Sequence, residues 1–175
     1  MKKTEGWSML KIMKHMGQIS FSSLMAVYEE TNREIGQEEW PDLPEHFAIQ
    51  MAENDAHQYL REIFFKTPGA VYAIYTVEEN YVSALRLEPY RDGLLIEALE
   101  TAPGQRRKGY GRALIQAVQE AYSGRTLYSH IDKQNAASRE LHQSCGFEKV
   151  EDFVVYIDGS VNYRGSTYCY RGKDI

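Results

Sequence analysis

The sequence is short of cysteine, of long apolar runs and of positive charge, and each shortage closes off a class of protein. Cys145 and Cys169 are the two cysteines in 175 residues. They form no C-x-x-C pair and join no ligand cluster, so neither a zinc site nor a disulfide framework is indicated, no metal is expected, and a reducing cytoplasm suits the chain. No stretch approaches the ~20 apolar residues of a membrane span. The lysines of MKKTEGWSMLKIMKHMG lead into no apolar segment of signal length, so neither export nor a membrane partner is expected. Lys and Arg number 20 against 25 Asp and Glu, a formal net charge of −5. Nucleic-acid affinity depends on a positive surface that displaces counterions from phosphates, so nucleic acid is not an expected partner. Repeats, low-complexity tracts and linkers are also missing, which leaves one domain over residues 1–175, with 1–8 read as a flexible tail.

What is present is a chain that can fold unaided: 43% apolar residues, 26% charged and thirteen tyrosines. After a first strand near Met9 to Met16, Ser20 can cap a helix bearing Phe21, Leu24, Met25, Tyr28 and Ile35 at three- and four-residue steps, with Gly36 as its stop. QEEWPDLPEHF reads as a loop before a second helix that carries Ala48, Met51, Ala52, Tyr59, Leu60, Ile63 and Phe64 on one face. From Thr67 the residues become β-branched and aromatic, punctuated by Glu-Asn and Arg-Asp-Gly, which predicts a three-stranded meander. A helix from Tyr110 to Gly124, the strand TLYSHID, a helix from about Asn135, and two strands in FEKVEDFVVYI and YRGSTYCYR complete the order β, α, α, three β, α, β, α, β, β.

The third meander strand, about Leu94 to Thr101, runs into PGQRRKGYGRAL, Pro103 to Leu114. A strand that gives way to glycines and then a helix presents free amides at the positive end of the helix dipole, where an anion is stabilised. Gly109 and Gly111 permit close approach, and Arg106, Arg107, Lys108 and Arg112 can add charge-assisted bonds to phosphate oxygens. The same residues also fit a strand-to-helix turn with solvated arginines. Neither common nucleotide fingerprint fits, because the third glycine of G-x-G-x-x-G falls at Leu114 and no G-K-S or G-K-T follows.

The spacing R-x-x-G-x-G, carried by Arg106, Gly109 and Gly111, resembles the GNAT superfamily of acetyl-CoA-dependent N-acetyltransferases. A second segment about 25 residues on, NAASRELHQSCGF, is similar to that family's N-x-x-A/S-x-x-L-Y/H-x-x-x-G-F helix, with Asn135 at its start, Ser138 at the small position and His142 where most relatives carry tyrosine. The resemblance spans roughly residues 9 to 172. It implies an α+β fold of GNAT type: a mostly antiparallel central sheet of about seven strands, splayed in the middle and flanked by about four helices.

It also implies acetyl-CoA as co-substrate and transfer of acetyl by direct attack of an amine. A small-molecule primary amine is the expected acceptor. A peptide or protein amine, or a catalytically silent CoA-binding or sensing module, are the alternatives, and a homodimer is left open. The segment Pro103 to Gly111 corresponds to the turn that wraps the pyrophosphate, so Arg106, Arg107, Lys108, Gly109, Tyr110, Gly111 and Arg112 are expected on the coenzyme. Asn135, Ser138 and His142 are expected on its other side, and the backbone of Leu99, Glu100 and Thr101 along the pantetheine arm, with the Leu99 amide toward the thioester oxygen. Glu97 is the first candidate for the base, on the reading that it shares a strand face with Leu99 and Thr101 while Glu100 points away. His130 on the next strand is a second candidate, and His142 a donor to the leaving sulfur. Tyr168 and Tyr170 rival His142 as the acid. Trp40, with Glu38, Glu39 and Asp42, reads as a solvated charge run under a tryptophan lid, or as a cradle for a cationic amine.

Overall fold

A computed structural model of the chain describes residues 7–172. Its centre is a seven-stranded sheet in the order β1-β2-β3-β4-β5-β9-β6. Strands β1 (Ser8–Met13), β2 (Val71–Val77), β3 (Asn80–Tyr90) and β4 (Gly93–Thr101) form an antiparallel run. β5 (Leu127–Asp132) then pairs parallel to β4, because helix α4 (Tyr110–Ala121) crosses over between them. β9 (Gly165–Tyr170) and β6 (Glu148–Glu151) restore antiparallel pairing, while β7 (Val154–Val155) and β8 (Val161–Asn162) form a separate small hairpin. The element order expected from the sequence is thus recovered apart from β8, which was not expected, and two further differences in the strands. FEKVEDFVVYI is split, since only its first half joins the sheet. Of the tail assigned to 1–8, residues 1–6 lie outside the described residues, whereas Ser8 already pairs with Val77 in β1.

Helices cover both faces. On one, Leu114, Ile115 and Val118 of α4 are fully buried against Leu85, Leu87, Leu94 and Ile96, and Leu141 of α5 (Ala136–Ser144) packs beside them. On the other, α1 (Phe21–Val27) and α3 (Glu45–Glu62) pack Leu24, Val27 and Leu60 on Tyr72, Ile74 and Ala84. Fully burying each such aliphatic side chain contributes about 1.5–3 kcal/mol.

The first expected helix is two, α1 and α2 (Glu29–Glu39), broken at Tyr28. Gly36 is not its stop. It sits inside α2 where α3 crosses, and a Cβ there would lie 2.8 Å from the Ala48 carbonyl carbon, so glycine is needed for the approach. Helix α2 runs on to Glu39, and the loop is only Trp40 to Pro44. Met51 on α3 and Ile63 just past its end are exposed instead of joining Ala48, Ala52 and Leu60 inside.

Candidate functional site

Strands β4 and β5 stay together for only three registered pairs, Leu94 with Leu127, Leu95 with Tyr128 and Ile96 with Ser129. Beyond that point they part, and β4 carries a bulge on its other edge. Arg86 of β3 pairs with Glu97 and Ala84 with Glu100, so β4 takes three steps where β3 takes two. Ala98 sits at the irregularity with φ 49°, and its carbonyl accepts a 2.6 Å hydrogen bond from the Tyr28 hydroxyl at the α1–α2 break. The bulge leaves Ala98 and Leu99 without register partners beside the gap.

It also reverses the face of every residue after it. Leu99 packs with the α4 side of the core, whereas Glu97 stands opposite Arg86, whose guanidinium lies over the rings of Tyr59 (5.0 Å) and Phe64 (5.6 Å) on the α1–α3 side. Glu97 therefore does not share a face with Leu99, as strict alternation would have it. Its face is that of Glu100, whose side chain accepts a hydrogen bond from Thr31 of α2. The opening thus has two sides.

On the α4–α5 side lies a cleft of about 700 Å³. Every residue expected on the coenzyme lines it except Lys108 and His142, and Ala137 and Leu141 complete its wall. The turn before α4 has Arg107 at φ 63° and Gly109 at φ 82°, a left-handed conformation that glycine adopts without cost. The amides of Arg106 to Arg112 donate to no carbonyl among the described residues, so a row of N–H groups at the helix start is free for an anion. Arg107 and Arg112 face the cleft. Arg106 also lines it, but its guanidinium is tied to Glu30 and, at 3.9 Å, to Glu100. Lys108 turns aside to Gln105. Across the cleft, Asn135 caps α5 by accepting from the Ser138 amide at 3.0 Å. Free amides, a guanidinium pair and a cleft of this size fit the diphosphate and arm of a nucleotide coenzyme.

His142 is a correction. Its side chain is 1% exposed and both ring nitrogens are engaged. Nδ1 lies 2.8 Å from the Ser138 carbonyl, which can only accept, so the proton is on Nδ1; Nε2, 3.0 Å from Ser129 Oγ, is then an acceptor. Burial lowers its pKa, partly offset by the Ser138 bond. The imidazole has no N–H left for a sulfur and serves to tie β5 to α5. Tyr168 is likewise in the core, and Tyr170 packs on Phe147.

On the α1–α3 side, burial and then a hydrogen bond to Glu88 push Glu97 up to about 7, with Arg86 pulling the other way. Burial also raises Glu100, offset by Thr31 and Arg106. His130 lies two residues beyond Tyr128 and so flanks the gap on the same face as Glu97. Its ring meets Tyr90 and Tyr156 edge-on, its Nε2 is buried without a partner, and burial together with Arg91 lowers its pKa to about 4. A histidine of that affinity is neutral near pH 7 and a poor proton acceptor. Trp40 is carried away from this face, since it follows Thr31 by nine residues, roughly 13 Å along a helix.

Sequence reasoning missed Tyr28, Arg86, Glu88 and Ser129. Arg86 and Glu88 had a signal: in SALRLEP they alternate with Leu85 and Leu87 in a strand with both faces covered, so they are charges placed inside. Tyr28 had none, because its role depends on a helix break.

Among the described residues no cluster of metal-ligating side chains occurs, and no helix is long and apolar enough to cross a membrane. No curated protein matches the chain. Solved structures do. The ribosomal-protein-S18-alanine N-acetyltransferase of Escherichia coli superposes with a TM-score of 0.58 at 15% identity, over 97% of this chain and 99% of the other. The spermidine N-acetyltransferase of Vibrio cholerae, in complex with CoA and spermine, gives 0.58 at 14% identity, over 94% and 95%. The PaiA N-acetyltransferase of Thermoplasma acidophilum, in complex with coenzyme A, gives 0.56 at 11% identity, over 93% and 99%. At these identities the likeness speaks for the fold. The profile of the acetyltransferase (GNAT) family, however, matches residues 27–147, well over half the sequence and spanning both the free-amide turn and the α5 cap, and the chain therefore belongs to that family.

Proposed function

We propose that the protein binds acetyl-CoA in the cleft between β4, α4 and α5 and transfers the acetyl group to a primary amine of a small molecule that enters from the α1–α3 side. The observation that carries this reading is the two-sided gap between β4 and β5: unpaired amides on one side, and on the other a half-buried carboxyl held at about 7.

In this reading the amides of residues 107–112, with Arg107 and Arg112, hold the pyrophosphate, and the free edge of Leu99 to Thr101 aligns the pantetheine arm. Bound acetyl-CoA supplies a thioester carbonyl. The Leu99 amide, freed from strand pairing by the bulge, polarises that carbonyl. Glu97 takes the proton from the incoming ammonium, a task suited to a base whose affinity lies near the working pH. The amine then attacks the carbonyl directly, with the two reactants held in line through the gap; the C–S bond breaks as the C–N bond is made, and the departing coenzyme A thiolate takes up the second proton that the amine sheds. Glu100 and Glu97 give the entry face negative charge, which favours a cationic amine; spermidine N-acetyltransferases are among the proteins that share the fold. Arg106, bound to Glu30 and Glu100, links α2 to the phosphate turn.

The test is free thiol release from acetyl-CoA over a panel of polyamines, amino acids, aminoglycosides and peptides with free N-termini. Amine-dependent release with a small molecule supports the reading. Release with the peptides alone overturns the acceptor class, and coenzyme binding without release overturns the enzyme.

A further inference from the structure

The acceptor-side face holds a second carboxyl that this scheme does not use. Register places Arg86 opposite Glu97 and Glu88 opposite Leu95, and residues two apart on a strand share a face, so Glu88 stands diagonally across from Glu97. Glu88 is 7% exposed, and Glu97 Oε2 is sealed from solvent with no donor in reach. Arg86 on β3 and Tyr59 on α3 act directly on the two carboxyls, Tyr72 on β2 and Tyr28 at the α1–α2 break meet them through Arg86, and Glu100 on β4 and His130 on β5 share the same sheet face. Arg86 is the one cation in that group. Its Nε has no acceptor, and its charge can balance one carboxylate but not two.

The sealed oxygen gains a partner from within this set when the two carboxyls share one proton. When Glu97 carries a proton, its O–H can donate to the Glu88 carboxylate, and the pair is left with a single negative charge beside the guanidinium. We propose that Glu88 is a positioning residue for acetyl transfer: its carboxylate accepts a hydrogen bond from the proton that Glu97 takes from the amine, and so sets how strongly Glu97 holds that proton. This rests on Glu97 being the base. The raised proton affinity of Glu97, to which Glu88 contributes after burial, agrees in direction.

Three measurements on the full chain test it. In kcat/KM against pH, Glu88→Gln removes the neighbouring charge, so the acid limb moves down by about one pH unit. Glu88→Asp, which keeps the charge at shorter reach, shifts it less. A purely structural Glu88 would lower the rate at every pH and leave the limb in place, which would overturn the proposal. Carboxyl-carbon NMR on glutamate-labelled protein, with Glu97 assigned by its loss in Glu97→Gln, reads the same quantity without turnover. In wild type the Glu97 signal passes through a step near 7 that moves down in Glu88→Gln along with the acid limb, and a Glu97 step left in place by Glu88→Gln would overturn the proposal. Wild-type turnover in Glu97→Gln across pH would instead overturn the base assignment, and this proposal with it, whatever the NMR shows of the pair.

Discussion

The two sides of the β4–β5 gap are built from different material. The side proposed for the coenzyme is made of main chain: amides at the start of α4, a glycine at φ 82°, and a capped helix opposite, all within Thr101 to Ser144. The side proposed for the acceptor is made of side chains drawn from Tyr28, Thr31, Tyr59, Arg86, Glu88, Glu97 and His130, which span about a hundred residues of sequence and meet only across strands and helices. A site made of backbone depends on conformation and tolerates the loss of a single side chain. A site made of side chains depends on each group and on the bulge that aims them.

The largest effect expected from that difference is at Gly109. Gly109→Asp sets a carboxylate against the anion site, and coenzyme affinity by calorimetry should fall at least about 100-fold. Gly109→Asn, with similar tolerance of a positive φ but no charge, should lose far less. Equal losses would mean that backbone strain, not charge, was measured. On the other side, Glu97→Gln should lower kcat by about 10²–10³ while coenzyme affinity stays unchanged. Arg107→Gln should weaken coenzyme binding only several-fold, up to about tenfold, because the amides remain; a loss as large as that of Gly109→Asp would break the contrast between the two sides.

Tyr28→Phe removes the donor to the Ala98 carbonyl, a part-buried bond, and should cost about 1 kcal/mol in denaturant unfolding, with a several-fold drop in kcat as the bulge loosens. The smallest effect is a stability gain. The folded state favours protonated Glu97, so the stability it contributes is full below 4.5 and lost as pH climbs through about 7. Glu97→Gln removes that loss. Its Tm advantage over wild type should be slight at pH 4.5 and reach a few degrees at pH 8; an advantage that shrinks with pH would contradict the buried, raised carboxyl.

Much of this was legible in the residues. Element order, the strand-turn-helix at Pro103 to Leu114 and the Asn135 cap were readable because each is a local matter of periodicity, turn chemistry and helix ends. Gly36 was misread because a glycine at a helix crossing and a glycine at a helix stop look alike until the second helix is in place. His142 was misread because its spacing from Ser138 fits a cleft-facing side chain as well as the buried bond to Ser129, and Ser129 is thirteen residues away on another element. Glu97 was placed on the wrong face of its strand, because alternation holds only while register does.

By itself the order of residues determined the backbone half of the site, since free amides at a helix start follow from which residues precede the helix and need no distant partner. Only the tertiary structure decided the side-chain half. Where β4 bulges against β3, and where it leaves β5, fixes which carboxyls face each other, and those events are settled by pairing and packing between segments that sequence proximity does not connect.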